Sequence, residues 1–315
     1  MQAARLFTLG LHFFLLVLLS GAAFAEGVLV PKVGGLLVFH STTLAPLGEI
    51  KLDTSGVPLL ASHPAAPVVA CLTPEKGLVF LNAPGFSEAS KHTDPLFADG
   101  IVDLAFSHDG NSLYLLSSSL RGVIVFDLGA SKVSGLLPVP GGEGKRLAVG
   151  EQGILVYQEE GVVLISSLPK SGLLAQYRYS QPFLSGLLEG DRFYASIQGD
   201  PGIWVYDVRA GQALGLLPSQ QKVVRLCRRL GEKGLIFLSE DGAVTARDFQ
   251  TSSPNWIYTS SFTASSDSEL WWGGSSVYVY EPSAGMLVSV SGQTGKPQGQ
   301  VELGRGLGRP VFFGS

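Results

Sequence analysis

The sequence predicts an all-β chain, a seven-bladed β-propeller of four-stranded antiparallel blades, closed by pairing the C-terminal strand with the N-terminal blade. Three observations carry that expectation. A glycine-anchored apolar run recurs seven times, a second apolar run precedes every anchor, and the two ends of the chain are complementary parts of one unit.

The anchors are Gly35, Gly77, Gly122, Gly161, Gly202, Gly242 and Gly285, spaced 42, 45, 39, 41, 40 and 43 residues apart. A fixed period of about 40 residues marks a repeat architecture, because one such unit cannot bury its apolar faces alone and must stack on copies of itself. The runs before the anchors read "GVLVPKV", "PVVACLT", "NSLYLLSS", "GILVYQE", "DRFYASI", "GLIFLSE" and "SSVYVYEP". Before most of these stands a further run, such as "IVDLAFS", "KVVRLCRRL" or "ELWWGG", set off by a turn such as Asp109-Gly110. Short period-two runs divided by Gly-bearing turns are hairpins, and four strands in about 40 residues make one propeller blade. In the third unit, "NSLYLLSSSLRGVIVFDLGASKVSGLLPV" (Asn111 to Val139) supplies strands two to four.

The ends agree with this. "GVLVPKV" is a second strand with no first strand before it, and "RPVFFGS" is a first strand with nothing after it. Joined, they complete a blade and leave no seam open to edge pairing.

Ahead of the repeats, "MQAARLFTLGLHFFLLVLLSGAAFA" combines Arg5, an apolar run from Leu6 to Leu19, and Ala23 and Ala25 flanking Phe24. That is the layout of a secretory signal peptide with an A-x-A cleavage site. The expected organisation is a signal peptide at 1–25 and one propeller domain at 26–315. A retained anchor is the competing expectation, since the run is long enough to cross a bilayer. No other run suits membrane insertion, so a periplasmic or secreted location in the cell envelope is expected. Charged residues make up 15% of the chain and the net charge is −4, with no basic footprint for nucleic acid. The two cysteines, Cys71 and Cys227, fall in blades that are not neighbours and are expected as separate buried thiols.

"SLYLLSSSLRGVIVFDLGASKVSGLLPVPGG" resembles the repeat of the YVTN-type, WD40-like propellers, in which a Tyr-containing strand, a short turn, a "G-x-V-x-V-h-D" strand and a "TGK" turn recur. "FYASIQGDPGIWVYDVRAGQALGLLP" and "SSVYVYEPSAGMLVSVSGQTGK" are similar to it, whereas blades 2 and 6 lack the Asp or the "TGK" turn. The resemblance implies the fold and an extracytoplasmic or surface-associated setting. It transfers no active site.

Candidate site residues follow from the expectation that the strand two-to-three turns and the blade-to-blade loops surround the functional mouth of the channel. His92, Asp94 and Asp99 lie in "KHTDPLFADG", the longest connection, and long loops carry function more often than short ones. Arg121 and Asp200 occupy two-to-three turns, together with Glu75, Glu159, Glu160, Glu240 and Asp241. A ring of carboxylates is able to hold a divalent cation. Asp and Glu also favour turns for local reasons, so turn chemistry is expected and no cofactor is assigned. Arg225, in "VVRLCRRLGEK", can clamp a carboxylate or phosphate; pairing with channel carboxylates is its expected role. Trp271 and Trp272, in "SELWWGG", offer a stacking surface for a sugar or peptide if exposed near the mouth. His63 and His108 occupy equivalent turns on the opposite face of adjacent blades. They are expected as turn residues, with metal binding across the blade gap as the alternative.

There is no G-x-S-x-G elbow and no catalytic residue is assigned. The expected function is an exported, non-catalytic, monomeric module that binds a protein, peptide or glycan partner, with no nucleic acid and no membrane insertion after signal cleavage. The alternative is a propeller lactonase or hydrolase with a metal or acid/base pair at the channel mouth, which requires convergent carboxylates and His.

Overall fold

Apolar runs as continuous as "GILVYQ" and "GLIFLS" need two apolar faces to pack against, and the sheets of this protein supply them. The computed structural model describes residues 26–314 apart from 76, 99, 152, 160, 167–171, 230–233 and 250–252. The proposed leader, Asp99 and Glu160 therefore lie outside the described residues.

Seven four-stranded antiparallel sheets follow one another. Blade 1 contains β1 (Gly27–Lys32), β2 (Gly35–His40) and β3 (Pro46–Lys51). Blade 2 is β4 (Leu59–Ser62), β5 (Val68–Thr73), β6 (Gly77–Asn82) and β7 (Ser87–His92), followed by a 3-10 turn at Pro95–Ala98. Blade 3 is β8 (Ile101–Phe106), β9 (Ser112–Ser117), β10 (Gly122–Asp127) and β11 (Lys132–Pro138). Blade 4 is β12 (Arg146–Val149), β13 (Gly153–Gln158), β14 (Gly161–Ser166) and β15 (Leu173–Arg178). Blade 5 is β16 (Phe183–Glu189), β17 (Arg192–Ile197), β18 (Gly202–Asp207) and β19 (Gln212–Pro218). Blade 6 is β20 (Val223–Arg228), β21 (Gly234–Ser239), β22 (Ala243–Asp248) and β23 (Trp256–Thr259). Blade 7 is β24 (Glu269–Gly273), β25 (Ser276–Glu281), β26 (Met286–Ser291) and β27 (Pro297–Glu302), and β28 (Val311–Phe313) returns to blade 1. The first five glycine anchors each open the third strand of their blade; β22 and β26 begin one residue after Gly242 and Gly285.

The expected closure is present. β28 runs antiparallel to β1, with Gly27 opposite Phe313 and Leu29 opposite Val311. Packing seals the same seam. Phe313 is fully buried, its ring lies where a Cβ on Gly27 would sit, at 2.5 Å, and it meets Phe86 of blade 2 edge-on at 4.9 Å.

One apolar cluster fills each gap between adjacent blades. Alternate residues of a single strand serve opposite gaps: in β9, Leu113 and Leu115 face blade 2, while Tyr114 and Leu116 face blade 4. In β21, Ile236 and Leu238 face blade 7, while Leu235 and Phe237 face blade 5. The second strands are therefore buried on both faces. β13, β21 and β25 are buried along their whole length, because each sheet is sandwiched between two others. Alternation survives on outer strands such as β11, where every second residue is exposed. The outermost pairing is bulged in every blade except the sixth, which bends the edge strand and spoils it as a template for further strands.

Phe313→Ala removes a fully buried ring at the seam and is expected to cost about 3–5 kcal/mol, measured by urea unfolding. A cost below about 1 kcal/mol would contradict closure through β28.

Candidate functional site

The first strands of the blades (β28, β4, β8, β12, β16, β20 and β24) line the central channel, and each presents one edge with no strand beside it. Buried backbone amides must find partners, and at β12, β16 and β20 side chains of the preceding blade supply them. Asp103 Oδ2 accepts from the Leu147 amide at 2.8 Å. The Tyr157 hydroxyl accepts from the Gly186 amide at 3.1 Å and donates to its carbonyl at 2.7 Å. Ser185 Oγ accepts from the Leu226 amide at 3.1 Å. Register shifts in β8, β16 and β20 fall at Asp103, Ser185 and Arg225. Bulges of this kind re-aim side chains, and these are among the residues that bridge blades.

Deep in the channel the bridging becomes ionic. Arg146 of blade 4 pairs with Glu269 of blade 7, on the far side of the ring. Arg309, on the segment leading into β28, lies 3.4 Å from Glu269 and 3.4 Å from Asp103. Arg225 is buried and donates to the carbonyls of Leu184 (2.9 Å), Val224 (2.8 Å) and Ser266. These partners correct the expectation that Arg225 pairs with channel carboxylates; the bulge beside it turns its guanidinium to backbone carbonyls instead. Burial, and then the neighbouring guanidinium of Arg309, bring Arg146 down to about 10. Burial, and then Arg146, bring Arg225 down to about 9. Both remain cationic at neutral pH.

Above this ionic layer the channel opens into a cavity of about 940 Å³. Its wall is largely apolar, with Leu60, Leu147, Leu187, Leu188 and Phe312 among the lining residues. Trp271 and Trp272 also line it, and the rim holds His63, His108, Glu151, Glu189 and Arg228. The mouth lies among the strand one-to-two turns, on the face opposite to the one that loop position suggested. Each inner strand runs toward these turns, so the charges near the strand starts form the floor and the apolar strand ends form the wall.

The rim is locally tied. Arg228 Nε lies 2.8 Å from Glu189, and Glu151 sits 3.6 Å from His108 and 3.9 Å from Arg228. His63 Nε2 donates to the Gly110 carbonyl at 3.1 Å, while its Nδ1 accepts from the Ala65 and Ala66 amides. Those roles fix the orientation of the ring. Gly110, at φ 74°, has no side chain to collide with the imidazole. Among the described residues, no three His, Cys, Asp or Glu side chains converge as a metal-binding group.

On the opposite face the turn residues clamp the blade-to-blade linkers. Glu75 accepts from Ser55 Oγ, the Ser55 amide (2.8 Å) and Thr54 Oγ1 (2.8 Å), and these bonds bring its carboxyl down to about 2. Gln158 Nε2 donates to the carbonyls of Pro140 and Gly142 in the linker from blade 3 to blade 4. Glu281 accepts from Ser265, Ser268 and Ser283. Burial alone would raise its carboxyl, but these bonds outweigh burial and hold it below the usual range. A depressed carboxylate contributes stability above its unfolded pKa and loses it as the pH falls through the folded pKa. The Glu75 and Glu281 clamps therefore hold at neutral pH and loosen in acid.

The other sequence candidates have partners within the fold. His92 is half-buried against Phe80 and Phe126 and meets Ser90 Oγ at 3.1 Å. Asp94 caps the 3-10 turn through the Leu96 amide at 3.0 Å. Arg121 is exposed in a tight turn at φ 48°, and Asp200 accepts from Trp204 Nε1 at 2.6 Å. Of the residues singled out as binding candidates, Trp271 and Trp272 reach the cavity. Trp271 stacks on Tyr278 with ring centroids 5.4 Å apart, and Trp272 Nε1 donates to the Gly274 carbonyl. Sequence reasoning missed Asp103, Arg146, Glu269 and Arg309, whose one legible signal was charge within or beside an inner-strand run. Cys71 and Cys227 are free, as expected, and burial pushes the Cys71 thiol up to about 12.

No family model matches the chain, and no curated protein matches it. Solved structures do share its fold. AztD of Citrobacter koseri in its apo form has a TM-score of 0.64 at 10% identity, covering 91% of this chain and 97% of that one. A second AztD structure from the same organism has a TM-score of 0.62 at 10% identity, covering 92% and 98%. The computationally designed Ika8 protein has a TM-score of 0.61 at 14% identity, covering 90% and 89%. At such identities the likeness shows the propeller fold alone. Among the described residues, no helix is long and apolar enough to cross a membrane.

Arg146→Met leaves Glu269 in the channel without its transannular partner and is expected to cost on the order of 3 kcal/mol. Adding Glu269→Leu should recover more than about 1 kcal/mol of that loss in a double-mutant cycle. Additive costs in urea unfolding would contradict a direct Arg146–Glu269 pair.

Proposed function

We propose that this protein is an exported, non-catalytic propeller that binds its ligand in the central channel, through the mouth among the strand one-to-two turns. The observation that carries the reading is the cavity of about 940 Å³, walled by apolar inner-strand residues and two half-buried tryptophans and floored by a fixed ionic layer. Its size falls within the range of small-ligand pockets, and a mostly apolar wall with a few placed polar groups is their usual chemistry.

The mechanism is passive. The clamped linkers and interlocked blades hold the wall in place before the ligand arrives, so little ordering is left to oppose binding. Trp271 and Trp272 are the aromatic anchors, and the body of the ligand replaces water along Leu147, Leu187 and Leu188. The signal-like leader and the YVTN-like repeats support a setting in the cell envelope.

The test is titration with the neutral apolar dye N-phenyl-1-naphthylamine. A saturable rise in emission at one site per chain is expected, with quenching of tryptophan. Ala148→Trp, which fills the wall of the cavity, should weaken the dye at least about ten-fold, with a melting curve confirming the fold. Absence of saturable binding, or binding untouched by Ala148→Trp, would overturn the reading.

A further inference from the structure

The floor of the mouth is crowded with charge. Arg146, Arg225 and Arg309 meet there with two buried carboxylates, Asp103 and Glu269. Asp267 adds attraction from an exposed position where solvent screens it. Arg225 bonds to backbone carbonyls, and the attraction of Asp267 reaches it as well. Burial first, and neighbouring guanidinium groups second, lower Arg146 and Arg225.

Arg309 is the member of the group that faces the cavity. Its side chain is 45% exposed and lines the mouth, and its contacts to Asp103 and Glu269 are long, at 3.4–3.5 Å. A guanidinium carries five donors in a planar fork suited to a carboxylate, and such loose contacts leave it able to accept a better partner. The rim carries the opposite sign, with Glu26, Glu151 and Glu189 against Arg228. The mouth is therefore polarised along its axis, acidic at the entrance, apolar along the wall and ending at the Arg309 guanidinium.

We propose that the channel mouth takes a small apolar molecule ending in a carboxylate, seated with the carboxylate on Arg309 and the apolar body against Leu60, Leu147, Leu187, Leu188 and Phe312. This rests on the reading of the mouth as a binding cavity and deepens it to a ligand class. The acidic rim sets the direction, because a carboxylate left at the entrance would face Glu26 and Glu151. A fatty acid and the C-terminal end of a short apolar peptide share this chemistry.

Calorimetric titration of the purified protein with decanoate and with decyltrimethylammonium tests the charge, and N-phenyl-1-naphthylamine serves as the neutral control. Decanoate is expected to bind one site at least about ten-fold more tightly than the cation. Arg309→Met should abolish that preference, and Arg309→Lys, which keeps the charge without the fork, should restore part of it. Leu-Leu-Phe with a free carboxyl, compared with its amide, separates the sources: a larger gain than decanoate's points to a peptide end, a smaller one to a fatty acid. If the dye binds but decanoate is held no more tightly than the cation, the carboxylate assignment falls and the cavity reading stands. If neither the dye nor decanoate binds, both fall. Should Arg309→Met not fold, the wild-type preference and its partial retention in Arg309→Lys decide the question.

Discussion

Seven sheets meet at a common axis, and each brings to it a strand edge with no strand beside it. Amides on that edge that are shut away from water must be paired, and no further strand fits in the channel. The protein solves this with side chains that reach from one blade to the next, namely Asp103 to Leu147, Tyr157 to Gly186, and Ser185 to Leu226. Much of the interior follows from this. A bulge of the same kind in β20 places Arg225 in the channel, and a carboxylate drawn in for an amide attracts arginines in turn.

The ionic layer that results divides the channel. On one side lie the linkers, tied to the strand two-to-three turns by Glu75, Gln158 and Glu281. On the other side the inner strands end in apolar residues and the cavity opens. The Arg146–Glu269 pair joins opposite blades across the layer. Pairs of this kind are weak evidence for net stability, because desolvation offsets much of the attraction. Their consequence here is geometric: opposite walls of the cavity are held at a fixed separation.

The fold was legible because its signals are local and repeated. Gly35, Gly77, Gly122, Gly161 and Gly202 mark strand starts that the structure reproduces, and "RPVFFGS" revealed the closing strand. The site was far less legible. Loop length pointed to His92, Asp94 and Asp99, yet His92 packs against phenylalanines and Asp94 caps a single turn. Asp103 and Arg225 sit at bulges that shift the register, which alternation within one strand does not reveal. Arg146, Glu269 and Arg309 are far apart in sequence and meet only because the ring closes. Trp271 and Trp272 were legible as an unusual apolar pair, and the mouth they line is on the face that loop position did not favour.

The central claim is that side chains of neighbouring blades satisfy the inner strand edges and so create the floor beneath the cavity. Amide hydrogen exchange at Leu147, Gly186 and Leu226 tests it most directly. The account predicts protection comparable to that of ladder amides in β13 and β21, because each inner-edge amide is bonded and buried. Exchange at the rate of the exposed turns would mean that those edges are open to water, and the fixed floor on which the proposed binding depends would not exist.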